Sequence, residues 1–191
     1  MKRILVPLAE GFEEAEFIGI ADVLKRASLD HPELEVITAS LTDHLLVKGA
    51  HGIKIQAETS LSSIALDSLD AIALPGGFDG MNNLKNSPII IKTIQELHAK
   101  KKLIAAICAS PIVLNHAGVL RGDFTCYPGC EAEIPGTRKN QAIVVSQNII
   151  TSAGPGTAIL FGLEIVRYLL GNEAYQSLYE GLLIPLLKSS L

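Results

Sequence analysis

The stretch Lys101 to Pro111, KKLIAAICASP, constrains the fold most. Two lysines lead into Leu103 to Ile107, five apolar residues without alternation, the pattern of a strand buried on both faces in a parallel sheet. Ala109-Ser110-Pro111 then signals a helix start, because proline suits the first helical turn. Cys108 therefore falls at a strand-to-helix corner, on the carboxyl edge where open α/β sheets collect their ligands. A helix amino end beside it would favour a thiolate. Burial as an apolar filler is the competing expectation for a free cysteine.

Element order on either side repeats the β-α-β unit. Ile4 to Leu8 is a strand, Glu10 to Phe12 a loop, and a helix follows from about Glu13 to Ala27 with acids in its first turn. His31-Pro32 breaks the chain before a second strand, Leu34 to Ala39. Leu45 to Ala57 is an extended excursion with a hairpin around Gly49 to Gly52. Asp70 to Leu74 is a strand ending in Pro75-Gly76-Gly77, and Ser87 to Lys100 is a helix with Ser87 as cap and Pro88 at its first position. Further on come a strand from Phe124 to Tyr127, a strand pair Gln141 to Ser146 and Asn148 to Thr151, an apolar helix Ala158 to Leu170 closed by Gly171, and a last helix from about Glu173 to Leu183. The apolar tail Leu182 to Leu191 is suited to covering a neighbouring surface. With 191 residues and no repeat or linker, one domain over 1–191 is expected.

Composition narrows the partners. A formal net charge of -4 and no basic cluster beyond Lys100 to Lys102 argue against nucleic acid or an anionic membrane. The longest apolar region contains Glu164 and Arg167, which excludes a membrane span. Three cysteines without framework spacing suit a reducing compartment, and the short amino-terminal apolar run followed by acids is no signal peptide, so a cytoplasmic protein is expected. A small molecule or another protein chain is the expected partner.

No histidine is well placed to serve Cys108. His116 lies eight residues along the same helix direction, about 12 Å away. Cys126 and Cys130 have C-x3-C spacing, but Pro128 and Gly129 intervene and no second ligand pair appears, so no metal is expected. Carboxylates are better candidates. Glu13, Glu14 and Glu16 share the carboxyl edge of the sheet with Cys108, and a buried one would hold its proton and donate to sulfur. All three also suit a helix amino end. Gly76 and Gly77 can bring backbone N–H groups close to a developing oxyanion. Gly154-Pro155-Gly156 opens a helix and could hold an anion.

GFEEAE at 11–16, ALPGG at 73–77, AAICASP at 105–111, TCYPG at 125–129 and TSAGPGTA at 151–158, in this order, resemble the DJ-1/PfpI superfamily, also called ThiJ, over essentially the whole chain. The branch resembled is the parkinsonism-associated deglycase group with its bacterial relatives. The resemblance implies a flavodoxin-like α/β fold, a doubly wound parallel sheet with helices on both faces, and a homodimer. It makes Cys108 the reactive, oxidisable cysteine of a nucleophile elbow, Glu16 its hydrogen-bonding acid, and Gly76 and Gly77 the oxyanion site. Ala109 stands where protease-like members carry histidine, which disfavours peptidase activity. Tyr127 replaces a histidine of the animal proteins. Arg26 matches an arginine that approaches the partner subunit's site, and His51 stands where relatives often carry arginine. Ala109, Tyr127, Arg26 and Gly156 are the expected substrate-binding positions. The implied activity is cofactor-independent conversion of small 2-oxoaldehydes, of glyoxalase or deglycase type, with a redox sensor or chaperone switched by Cys108 as the alternative.

Overall fold

The computed structural model describes residues 1–190, with side chains through Leu187; Leu191, the end of the apolar tail, lies outside the described residues. In chain order the elements are β1 (Lys2–Leu8), α1 (Glu14–Asp30), β2 (Leu34–Ser40), β3 (Leu46–Lys48), β4 (Lys54–Gln56), β5 (Thr59–Ser60), β6 (Ala71–Leu74), α2 (Phe78–Lys85), α3 (Pro88–Ala99), β7 (Leu103–Ile107), α4 (Pro111–His116), β8 (Asp123–Phe124), β9 (Thr137–Arg138), β10 (Ile143–Ser146), β11 (Ile149–Ser152), α5 (Ala158–Leu170), α6 (Asn172–Gly181) and α7 (Ile184–Ser190). Seven strands form one sheet in the order β10-β11-β7-β6-β1-β2-β5, parallel throughout except for β10 at the edge. This is the flavodoxin-like α/β architecture. All residues of β6 and β7 are buried, the reason their sequences do not alternate.

From β1 the chain winds outward through β2 to β5, then returns to β6 and winds the other way through β7 to β11. Right-handed crossovers run in opposite directions place their helices on opposite faces. Accordingly α1 packs with α5 and α6, while α3 packs with α2 and α4. The winding reverses between β1 and β6, which opens a crevice outside their carboxyl ends. Helix α1 is drawn hard onto α5: a Cβ on Gly19 would lie 2.7 Å from that of Ala158, and one on Gly162 2.9 Å from that of Val23. The close approach fixes the first turn of α1, where Glu16 sits.

Several elements differ from expectation. Helix α2 was not anticipated; its sequence FDGMNNLK combines a glycine and two asparagines with only Met81 and Leu84 as buried large side chains, so helical periodicity is faint. The strand expected over Phe124 to Tyr127 stops at Phe124. Beyond it the Cys126 carbonyl accepts from Arg138 Nε at 3.1 Å and the Tyr127 N–H donates to the Cys108 carbonyl at 2.9 Å, leaving no ladder to extend. The last expected helix is α6, and the tail after it, with Leu183 at φ +58°, turns into a further short helix, α7. The two-residue β5 was also missed. Leu46–Lys48 and Lys54–Gln56 do form the antiparallel hairpin of the excursion. No helix among the described residues is long and apolar enough to cross a membrane.

Candidate active site at the Cys108 corner

Strand β7 ends at Ile107, and Cys108 takes φ +63° before α4 begins. A left-handed conformation is costly for any residue with a Cβ, so the corner must be held from outside. Three bonds hold it. The Cys108 N–H donates to the Ser152 carbonyl at 2.9 Å, its carbonyl accepts from the Tyr127 N–H, and the buried Ser110 hydroxyl donates to the Pro75 carbonyl at 2.5 Å. Ser110 thus binds the end of β6 to the corner rather than capping α4, where its side chain makes no capping bond. Cys108 itself is only 6% exposed.

Glu16 enters from the first turn of α1. Glu13 caps that helix by accepting the Glu16 N–H at 2.7 Å, while the Glu13 N–H donates to the Gly76 carbonyl at 3.0 Å. Glu16 is fully buried, and its Oε2 accepts the Gly76 N–H at 2.7 Å. Its Oε1 is buried with no protein hydrogen-bond partner. Burial pushes the Glu16 carboxyl up to about 7, against the opposing pull of the Cys108 thiol and the Gly76 N–H; the nearby Glu13 charge pushes it further up. Cys108 is pushed up as well, by burial first and then by the facing Glu16, whereas the N–H groups of Gly77 and Ala109 draw it down. The two shifts have one sense: each group is held toward its protonated form, and each opposes ionisation of the other, since ionising both would place two charges in a buried site.

The gap between them is shaped by Gly76. A Cβ there would lie 2.6 Å from Glu16 Oε2 and 2.7 Å from Cys108 Cβ, so a side chain larger than hydrogen would part the pair. Gly77 has φ +86°, and a Cβ on it would fall 2.4 Å from the Gly11 carbonyl. The expectation that Gly76 and Gly77 together supply oxyanion donors needs correction: the Gly76 N–H is committed to Glu16, and the amides that bear on the sulfur are those of Gly77 and Ala109.

The remaining expected positions divide. Tyr127 is adjacent through its backbone bond to Cys108, and its ring meets Phe78 edge-on at 6.3 Å. A Cβ on Gly154 would touch the Tyr127 ring at 3.3 Å, while Gly156 faces open space. Arg26 lies about 15 Å along α1 from Glu16, paired with Asp22 at 2.7 Å, and does not reach Cys108 of its own chain. No histidine is among the groups acting on the thiol. His51 instead bonds Glu14, Nδ1 to Oε2 at 2.8 Å, and the buried Glu14 also accepts the N–H groups of His51 and Ile53. Glu13, Glu14 and His51 form the one trio among the described residues close enough to share a metal ion, but Glu14 is committed to the hairpin and Glu13 to the cap. Cys126 and Cys130 are unbridged. Ser110, Ser152 and Phe78 escaped sequence reasoning, since serine in a helix-start motif suggests capping and nothing local ties residue 152 to residue 108.

A family model described as the DJ-1/PfpI family matches residues 2–168. Protein dj-1beta of Drosophila melanogaster is 38% identical over 187 residues, covering 96% of this chain and 97% of the relative; its crystal structure superposes with a TM-score of 0.88 over 95% of this chain and 97% of that one. A Caenorhabditis elegans protein named glutathione-independent glyoxalase DJR-1.2 is 36% identical over 182 residues, 94% of each chain. A structure of Toxoplasma gondii DJ-1 described as oxidized is 34% identical, with a TM-score of 0.88 over 96% of this chain and 98% of that one.

Proposed function

The chain belongs to the DJ-1/PfpI family, and from that premise we propose that it converts small 2-oxoaldehydes to 2-hydroxy acids with Cys108 as nucleophile and Glu16 as general acid and base, without metal or nucleotide. The observation carrying this reading is the buried Glu16 carboxyl, pushed up to about 7 and acting directly on the Cys108 thiol. A carboxyl with that affinity can both take and return a proton near neutral pH.

Ionised Glu16 takes the proton of the Cys108 thiol as sulfur adds to the aldehyde carbon, then returns it to the new alkoxide, giving a hemithioacetal. Glu16 then removes the hydrogen from that carbon and returns it to the neighbouring ketone carbon, while the hydroxyl proton of the first carbon passes to the former ketone oxygen. The electron pair of the C–H bond thereby oxidises the first carbon and reduces the second, leaving a thioester of a 2-hydroxy acid. Water breaks the C–S bond, releasing the acid and restoring the thiol. The sum is addition of one water, with no external oxidant or reductant. Oxygen charge forms on the carbon bonded to sulfur, so the Gly77 and Ala109 amides that bear on the sulfur are suited to stabilise it. Removal of early glycation adducts from proteins would use the same thiol on a larger substrate.

The test is D-lactate formation from methylglyoxal without glutathione. Loss in both Cys108→Ser and Glu16→Gln supports the reading, and a Cys108→Ser variant with wild-type turnover refutes it. The proposal extends to one domain over 1–191, a cytoplasmic setting that keeps the unbridged thiols reduced, and a homodimer that brings a second copy's Arg26 toward the site. Exposed Ile18 on α1 and Ile53 on the hairpin supply apolar surface for such a contact. A second reading, a redox sensor, is favoured by the oxidized state named for the Toxoplasma relative and by two amides positioned to bond a sulfinate oxygen. Mild peroxide that leaves Cys108 unmodified while oxidising Cys126 would count against it.

A further inference from the structure

Resting on Cys108 as the group that meets the aldehyde, we infer that Phe78 and Tyr127 form an aromatic platform at the lip of the site and select 2-oxoaldehydes with a flat apolar substituent, an arylglyoxal over methylglyoxal. Phe78 follows Gly77, whose N–H bears on the sulfur, and opens α2. Tyr127 donates its backbone N–H to the Cys108 carbonyl. Each ring is therefore carried by, or one peptide from, a residue that holds Cys108. The rings meet nearly perpendicular, at 87°, yet Phe78 remains 59% and Tyr127 42% exposed.

Single exposed apolar side chains need no explanation, but two aromatic rings in contact beside one buried thiol are not scattered. Their upkeep as exposed surface makes sense if a bound group covers them. Gly154 lies against the Tyr127 ring and leaves no side chain to displace it, since a Cβ there would fall 3.3 Å from the ring. Within one chain the charged groups acting on the Cys108–Glu16 pair are Glu16 itself and Glu13, both acids, so the chain's own side chains offer an anionic substituent no cation, whereas an uncharged aromatic one needs none. A phenyl group stacked on or set edgewise against this pair gains roughly three- to tenfold in affinity beyond its area burial.

The experiment compares kcat/KM for phenylglyoxal and methylglyoxal in wild type, Phe78→Ala and Phe78→Tyr. The expected result is a phenylglyoxal preference in wild type, lowered roughly three- to tenfold in Phe78→Ala and kept in Phe78→Tyr. An unchanged ratio in Phe78→Ala, with methylglyoxal still converted, overturns the platform and leaves the proposed activity standing. A second readout needs no turnover: the ratio of Cys108 alkylation rates by N-phenyl iodoacetamide and iodoacetamide, measured on the Cys108 peptide by mass spectrometry. If wild type converts neither aldehyde, the glyoxalase reading fails, and this ratio still decides: a fall in Phe78→Ala supports the platform and invariance overturns it. Phe78 is mostly exposed, so its truncation leaves no core cavity, and circular dichroism melting checks that each variant is folded.

Discussion

Replacing Glu16 by glutamine should stabilise the protein at alkaline pH while abolishing turnover. Glutamine keeps the shape and an oxygen for the Gly76 N–H, but it cannot ionise. In the folded chain Glu16 is raised from its ordinary 4.5 to about 7. Between those values the folded state holds a proton that the unfolded state has released, so the stability contributed by this group is complete below 4.5 and is lost as pH rises through about 7. At about 1.4 kcal/mol per pKa unit, the ionised side chain costs about 3 kcal/mol at pH 8. For a chain of this length that is roughly 6–12 °C in melting temperature. Thermal and urea unfolding of wild type and Glu16→Gln at pH 4.5 and pH 8 read the effect. Glu16→Gln should melt higher at pH 8, with most of the advantage gone at pH 4.5. A difference independent of pH would refute the assignment of a buried, destabilising carboxylate, whatever happens to activity.

Gly76→Ala should abolish 2-oxoaldehyde turnover and lower stability by about 1–3 kcal/mol, because its methyl enters the space between Glu16 and Cys108; iodoacetamide labelling of Cys108 and melting measure the two effects. Ser110→Ala leaves the Pro75 carbonyl without its hydroxyl partner and should cost about 1–3 kcal/mol at pH 4.5 and pH 8 alike, by urea unfolding, in contrast with the pH-dependent glutamine variant. His51, bonded to Glu14, should titrate above its ordinary 6.5 in an NMR pH series and return toward it in Glu14→Gln. Its contribution to holding the hairpin is present below 6.5 and is lost as pH rises through the higher folded value, which hydrogen exchange at Ile53 should follow.

The legible parts of this fold were those whose burial leaves an unmixed pattern. Leu103–Ile107 has no polar residue and reads as a central strand; Ala158–Leu170 with Gly171 reads as a helix with its end marked. Helix α2 was illegible because Met81 and Leu84 are its only buried large side chains and a glycine and two asparagines weaken its propensity, so no apolar period marks it. The pairing of Cys108 with Glu16 was approachable, since both follow strands that end on one edge of the sheet, and the five motifs narrowed three acids to one. Choosing among Glu13, Glu14 and Glu16 by periodicity alone fails, because all three are used: one caps the helix, one anchors the hairpin and one faces the thiol. The Gly76 amide was misassigned for a related reason. A glycine pair shows that backbone comes close, but which N–H points at which acceptor depends on where α1 sits.

Two constraints on this corner pull in one direction. A buried carboxyl facing a buried thiol disfavours folding as soon as either ionises, and a left-handed cysteine adds about 1–3 kcal/mol more. Such a pair survives only where its supports cannot relax. The switch between β1 and β6 supplies that: α1 is locked on α5 through Gly19 and Gly162, β6 is tied to the corner through Ser110, and Cys108 is bonded on both sides to Ser152 and Tyr127. The supports come from separate elements, two helices and the ends of several strands, so no single local movement separates thiol from acid. The sheet as a whole bears the cost of burying acid and thiol together, and a proton donor held rigidly against a nucleophile is what the proposed addition to a carbonyl requires.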